Sequence, residues 1–352
     1  MPSLIRIFVD FILQILGDLN YASDITENLI ALIDITGMIY MFLCFNGKQI
    51  EMHNIVIQLH QFQIYGDRQF VVDTERKAAL LTKIFFIYGV LGNVAYAVLP
   101  LYQMDSCMER VAILKSANKT TNGIHCGIIT RARYPKFEHA DVTPWFELKA
   151  FEQFFVCLLV STNVLMITMF LCSILMHIVQ EIKNFKLLLR NTLTESNAPN
   201  IHAQLMHCIR YHIDIIQFIN LVNDAFSKIM IVHLTLTSGV ISVLGFEVLM
   251  VEASGDKLRF SAHLFGWILL LYLVSFFGQM LINESLSVAD CLYDTNWYEC
   301  PLKVRKDILF MLMRSQKAFK INAASLGSMS LESFLKVMST AYSYFTLLLK
   351  MK

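Results

Sequence analysis

The residues best placed to do chemistry here are hydroxyls and ammoniums at helical spacing near the end of the sequence. Lys336, Ser339, Thr340, Ser343, Thr346 and Lys350 share one side of a 3.6-residue period, while Phe334, Met338, Ala341, Phe345 and Leu348 share the other. No member of that polar set is arranged to make or break a bond. Its chemistry is solvation, because unpaired hydroxyls and ammoniums are costly in hydrocarbon and need water, an ion or a polar neighbour. The polar face is therefore expected to meet an aqueous pore or another polar helix. Two acids, Asp34 and Glu247, fall inside apolar stretches and are functional candidates on that ground. Snorkelling or a structural hydrogen bond is the plainer account of each.

No enzyme motif accompanies them. The sequence has no HExxH, no P-loop, no GxSxG and no glycine-rich dinucleotide fingerprint. Its eight cysteines include no CxxC and no Cys/His cluster at ligand spacing, so neither metal nor cofactor is expected. His177 and His233 read as hydrogen-bonded packing residues rather than proton carriers, and Cys44, Cys157 and Cys172 as packing residues inside spans.

The elements that carry these residues follow from composition. Of 352 residues 56% are hydrophobic and 16% charged, against about 45–50% and about 25% in an ordinary soluble domain. The mean hydropathy is +0.53. A net charge of +1 leaves no basic excess to hold phosphates, so nucleic acid is not a partner. A helix crossing the hydrocarbon needs about 20 mainly apolar residues. Seven stretches qualify, at 4–19, 29–45, 84–102, 154–178, 229–251, 260–282 and 331–349. The first carries Arg6, Asp10 and Asp18, and an incomplete span, an interfacial helix or a signal peptide are its alternatives. The expected fold is all-α: a polytopic membrane protein of seven transmembrane helices in one domain, 1–352.

Lys and Arg are more frequent in connections 2–3, 4–5 and 6–7 than in the other three, which places the N-terminus in the cytoplasm. Asn118-Lys119-Thr120 is a glycosylation sequon in the 3–4 connection, useful if that loop lies outside, and Asn118 is the expected acceptor. Cys107 and Cys126 share the same outer loop, where oxidation is permitted without being required. The inner connections carry apolar stripes of their own, such as Leu205, Cys208, Ile209, His212, Ile215, Ile216 and Ile219. We expect helices four to six to run past the bilayer into an intracellular anchor region and pack there with Leu302–Phe319.

Three function classes suit seven spans. A G-protein-coupled receptor is one, and Glu109-Arg110-Val111 mimics that class's acid-Arg-aromatic triplet, but the triplet falls in the loop placed outside. The last span also lacks Asn-Pro-x-x-Tyr, and spans five to seven contain no proline. A transporter is the second, without visible inverted repeats or paired broken helices. The third comes from a resemblance. Ser285 to Ala289, Tyr293, Trp297, Ile308-Leu309, Arg314-Ser315-Gln316, Ser330 to Phe334 and above all Ala341-Tyr342-Ser343-Tyr344-Phe345-Thr346-Leu347-Leu348 resemble the insect odorant receptors, as does Thr26-Glu27-Asn28-Leu29.

That resemblance implies an odorant-binding subunit of a ligand-gated cation channel, opened by a small volatile molecule. It further implies a hetero-tetramer with the odorant receptor co-receptor, in the lipid of a sensory neuron's plasma membrane. The pore would be lined by the seventh helix, with Ser343 and Thr346 on its wall, Leu347 and Met351 at the gate and Lys350 at the mouth. The odorant would sit among helices two, three, four and six. The positions implied are Leu32, Asp34, Ile35 and Met38, then Asn93, Tyr96 and Ala97, then Phe155, Leu159 and Thr162, and lastly Phe265, Trp267 and Leu271. The co-receptor's expanded loop between spans four and five is absent, which implies a tuning subunit. One departure stands out: the family usually has some tens of residues before its first span, so a short first helix or a truncated start is expected.

Overall fold

The computed structural model describes residues 22–62, 65, 68–102, 104–117, 126–127, 145–194, 200–251, 254–323 and 327–350. They form helices α1 (Ala22–Asn46), α2 (Gln49–Gln61), α3 (Arg68–Tyr102), α4 (Met104–Ser116), α5 (Trp145–Thr194), α6 (Ile201–Met250), α7 (Ser254–Tyr293), α8 (Leu302–Ser315) and α9 (Leu331–Lys350). A short 3-10 turn, Trp297–Glu299, precedes α8. The first expected span (4–19), the sequon at Asn118 and the gate position Met351 lie outside the described residues. The other six expected spans fall within α1, α3, α5, α6, α7 and α9, that at 229–251 with its capping residue Val251.

Four helices, α3, α5, α6 and α7, are long and apolar enough to cross a membrane. Helices α5 and α6 have 50 residues each. At 1.5 Å per residue that is about 75 Å, against a hydrocarbon thickness of about 30 Å. Much of each helix must therefore bury its apolar side on protein rather than in lipid. The main core does this. It joins Ile182, Phe185 and Leu189 of α5 with Leu205, Tyr211, Ile215 and Phe218 of α6, Val288 and Leu292 of α7, and Val304, Ile308 and Met311 of α8. The stripe expected from Leu205 to Ile219 is the buried or half-buried side of α6, and Leu302–Phe319 packs against it as anticipated.

The inner connection 2–3 is helical, in keeping with its apolar periodicity, and one other helix departs from the loop expected. Connection 2–3 holds α2, whose Met52 and Ile55 enter the main core. The residues after span three form α4, so Glu109-Arg110-Val111 is helical rather than loop. Helix α4 is short and polar, which hides it from a search for apolar runs.

Polar groups at the anchor end are tied off locally. Tyr211 donates to Glu181 Oε2 at 2.5 Å, and its ring stacks 4.3 Å from that of Tyr65. Tyr65 in turn donates to Asp214 at 2.6 Å, and this hydrogen bond holds its hydroxyl above the usual phenol range. Lys48 bridges Glu51 (2.8 Å) and Asp224 (2.9 Å), which pushes its ammonium upward and the Glu51 carboxyl downward.

The segment leading into α9 is held as firmly. Asn223 donates to Lys320 O at 2.8 Å and accepts from Asn322 N–H at 2.7 Å, while Ser285 Oγ accepts from Phe319 N–H at 3.0 Å. Ala323 and Met329 close a small turn through Gly327 O and Ile321 O, with Gly327 at φ +114°. Gly278 of α7 lets that turn in, because a Cβ there would stand 2.3 Å from Met329 O. Gly278→Ala is expected to cost about 1–3 kcal/mol through overpacking against backbone. The control is Gly239→Ala, where a Cβ meets nothing within 4 Å and helix propensity gains about 1 kcal/mol. Thermal melting of the detergent-purified protein should fall for the first and hold or rise for the second.

Candidate functional site

Helix α9 turns one face inward and one outward. Phe334 and Val337 pack on the main core, and Met338, buried Ala341 and Leu348 on a second cluster with Val240 and Leu244 of α6. Phe345 closes on α6 at Gly245, where a Cβ would lie 3.4 Å from its ring. The opposite side leaves Lys336, Ser339, Thr340, Ser343 and Lys350 exposed, with Thr346 half-buried and Leu347 56% exposed. The hydroxyls spend their protons inside the helix. Thr340 donates to Lys336 O at 2.9 Å, Ser343 to Ser339 O at 2.9 Å and Thr346 to Ser343 O at 2.8 Å. Such back-bonding satisfies the donor and leaves oxygen lone pairs facing outward. The acceptors of Thr340, Ser343 and Thr346 offer water and cations a polar surface.

A second polar group lies where α1, α3, α5 and α7 meet. On α7, Arg259, His263, Trp267 and Leu271 recur every fourth residue and so share one side. Trp267 Nε1–H donates to His263 Nε2 at 3.1 Å. That assignment makes Nε2 the unprotonated nitrogen of a neutral ring and puts the proton on Nδ1. Asp34 Oδ2 of α1 stands 3.8 Å from the same Nε2. The Tyr96 ring of α3 meets His263 edge-on at 5.5 Å, and the buried Arg259 guanidinium lies 4.7 Å over Tyr96, 4.6 Å over Phe260 and 3.7 Å from Asp256. Behind Trp267, His233 of α6 sits 6.4 Å away with Nδ1 3.0 Å from Thr237 Oγ1.

Asn93 ties α3 to α5. It donates to Gly89 O (2.7 Å) and Ser161 Oγ (2.6 Å) and accepts from Cys157 S–H at 3.2 Å. The thiol read as packing therefore also hydrogen-bonds.

Of the positions implied for a ligand, Asp34, Tyr96 and Trp267 come together, with Met38 packed against the same cluster as Trp267. Asn93 lies on the α3–α5 seam, where Thr162 and Ala97 are half-buried, as is Leu32 on α1. Ile35 is buried, and Leu271 is in the main core. Phe155, Leu159 and Phe265 stand on the protomer surface, Phe155 beside Phe151. Sequence reasoning missed Arg259 and His263, although their four-residue spacing with Trp267 was a usable signal. On α4, Cys107 is bonded to Cys126, the bridge the sequence left open.

The family model for the seven-transmembrane odorant receptors matches residues 21–342. This chain belongs to that family. Among similar odorant receptors, 22c of Drosophila melanogaster is 31% identical over 155 residues, covering 44% of this chain and 38% of the relative. Odorant receptor Or2 of Anopheles gambiae is 23% identical over 155 residues, covering 44% and 41%. The odorant receptor coreceptor of Ooceraea biroi is 25% identical over 166 residues, covering 46% and 34%. The matches thus span about two fifths of these relatives' length. The olfactory receptor OR5 of Machilis hrabei, solved in complex with eugenol, shares the fold at a TM-score of 0.79 and 12% identity, over 99% of this receptor and 86% of that one.

The Asn93–Ser161 bond should show as a coupling energy. A double-mutant cycle of Asn93→Ala and Ser161→Ala is expected to give about 0.6 kcal/mol, with about 1.7 as the upper end for such bonds in membranes. Reversible unfolding of the purified protein in mixed micelles measures it.

Proposed function

We propose that this odorant receptor is the odorant-binding subunit of a ligand-gated, non-selective cation channel, opened by a small volatile molecule. The observation that supports it most is the division of α9: a buried apolar face against α6, and an outward face of hydroxyl oxygens whose protons are already committed. In a symmetric assembly that outward face lines the axis, Ser343 and Thr346 supply lone pairs to a hydrated cation, and Leu347 narrows the passage with Met351. Lys350 stands at the mouth of that passage. The C-terminal end of α9 faces outward and the N-terminus lies in the cytoplasm.

Odorant binds at the group around Asp34, Tyr96 and Trp267, with Met38 and Asn93 at its margins. Trp267 and Met38 share a packed cluster with Met338, Ala341 and Leu348, so the ligand seat and the inner face of the pore helix belong to one packed unit. Binding stabilises the state in which Leu347 leaves the axis. The receptor is a tuning subunit: α5 ends at Thr194 and α6 begins at Ile201, without the expanded loop that the co-receptor's resemblance calls for. Its partner is the co-receptor, in a hetero-tetramer in the plasma membrane. Family membership weighs against the G-protein-coupled and transporter alternatives.

In voltage-clamped cells, odour-evoked cation current is expected only when both chains are present, and should persist under G-protein blockade. Current that disappears with the blockade restores the coupled-receptor alternative. Ser343→Cys and Leu347→Cys should react with a hydrophilic thiol reagent and lose current, while Ala341→Cys stays protected. Equal protection at all three positions removes the pore assignment.

A further inference from the structure

Among the buried atoms of this polar group without a hydrogen-bond partner, Asp34 Oδ1 and His263 Nδ1 differ in sense. Asp34 Oδ1 is an acceptor without a donor, and His263 Nδ1 is without a partner while Nε2 of the same ring accepts from Trp267. With Nε2 unprotonated, Nδ1 carries the ring proton and is a donor without an acceptor. The two side chains are neighbours through their other atoms, Asp34 Oδ2 being 3.8 Å from His263 Nε2, so Oδ1 and Nδ1 belong to one buried site. A buried polar atom left unpaired costs more than a bond to it returns, so the group is selective for whatever satisfies both atoms.

We propose, on the reading that this group is the odorant seat, that the ligand class is hydroxyl-bearing: a neutral alcohol or phenol whose oxygen joins Asp34 to His263. A hydroxyl gives its proton to Asp34 Oδ1 and takes the Nδ1 proton of His263 as a hydrogen bond. No other simple functional group does both as economically. An aldehyde, ketone or ether satisfies His263 alone. A protonated amine satisfies Asp34 but brings a cation beside the Arg259 guanidinium, which lies 4.7 Å from the Tyr96 ring that also contacts His263. A hydrocarbon satisfies neither. The rest of the seat, Tyr96, Trp267, Phe260 and Met38, is aromatic or thioether and fits an apolar body.

The test uses the full chain co-expressed with its co-receptor and a set of matched volatiles: a straight-chain alcohol, its methyl ether, the aldehyde, the amine and the alkane, with a cresol and its methyl ether beside them. The alcohol and the cresol should act at about tenfold lower concentration than their ethers, the size of one net hydrogen bond. Asp34→Leu should bring alcohol down to the level of ether and leave ether unchanged. Asp34→Asn, which keeps the acceptor oxygen, should retain the preference and shows that the site still folds. His263→Phe should weaken alcohol, aldehyde and ether together and spare the alkane. Equal potency of alcohol and ether in the unaltered receptor overturns the proposal, and means that the two atoms are held by a resident water. A best response to amine or alkane overturns it too. Should no volatile evoke current, the channel reading fails, and thermal shifts of the purified chain with the same set still decide the ligand class.

Discussion

Helices longer than the bilayer is thick set the terms for everything else in this protein. Lipid accepts an apolar helix on every side, but water does not, so each residue of α5, α6 and α7 beyond the hydrocarbon must find protein for its apolar side. The main core answers that need. Phe185, Tyr211, Phe218 and Phe226 are among its largest fully buried side chains, in a protein whose α3 leaves a row of Ile84, Ile87, Leu91, Val94 and Val98 exposed for lipid. The same chain thus has two solvents, and α5, α6 and α7 pass from one to the other without a break.

Because the anchor end is packed, it can hold a short linker under control. The connection between α8 and α9 is held at 319–322 by side chains of α6 and α7, and Gly278 brings α7 against its backbone at Met329. Helix α9 therefore leaves a rigid platform. Its own burial is thin, with Ala341 its most covered residue. A helix held firmly at its base and lightly along its length is suited to swing, and the energy separating its positions is set by few contacts.

What the sequence disclosed and what it hid follow from range. The two faces of α9, the extension of α6 and the apolar spans are patterns of period 3.6 within one element, and neighbours in sequence suffice to read them. Helix α4 escaped because it is short and polar, without an apolar run to mark it. Arg259 looked like a loop charge because its worth depends on Tyr96, which reaches it from another helix. The Asp34–His263 approach joins the start of the described chain to α7, and no local pattern encodes it. Phe155, Leu159 and Phe265 fit an apolar box by type, yet type does not say which side of a helix faces protein.

The second cluster joins the proposed ligand seat to the proposed pore helix in one packed unit. Trp267 donates to the ring that faces Asp34, and its indole also packs in the cluster that receives Ala341. Interiors packed to crystalline density do not yield by small continuous shifts; they exchange one arrangement for another. A ligand that fixes the His263 ring fixes Trp267 through their hydrogen bond, and the cluster then favours whichever seat of α9 suits that indole. On the proposed reading no separate relay is required, since Trp267 packs in the same cluster as the inner face of α9. The size of the effect is bounded by the same hydrogen bonds, because a ligand shifts the equilibrium only by the difference in its affinity for the two states.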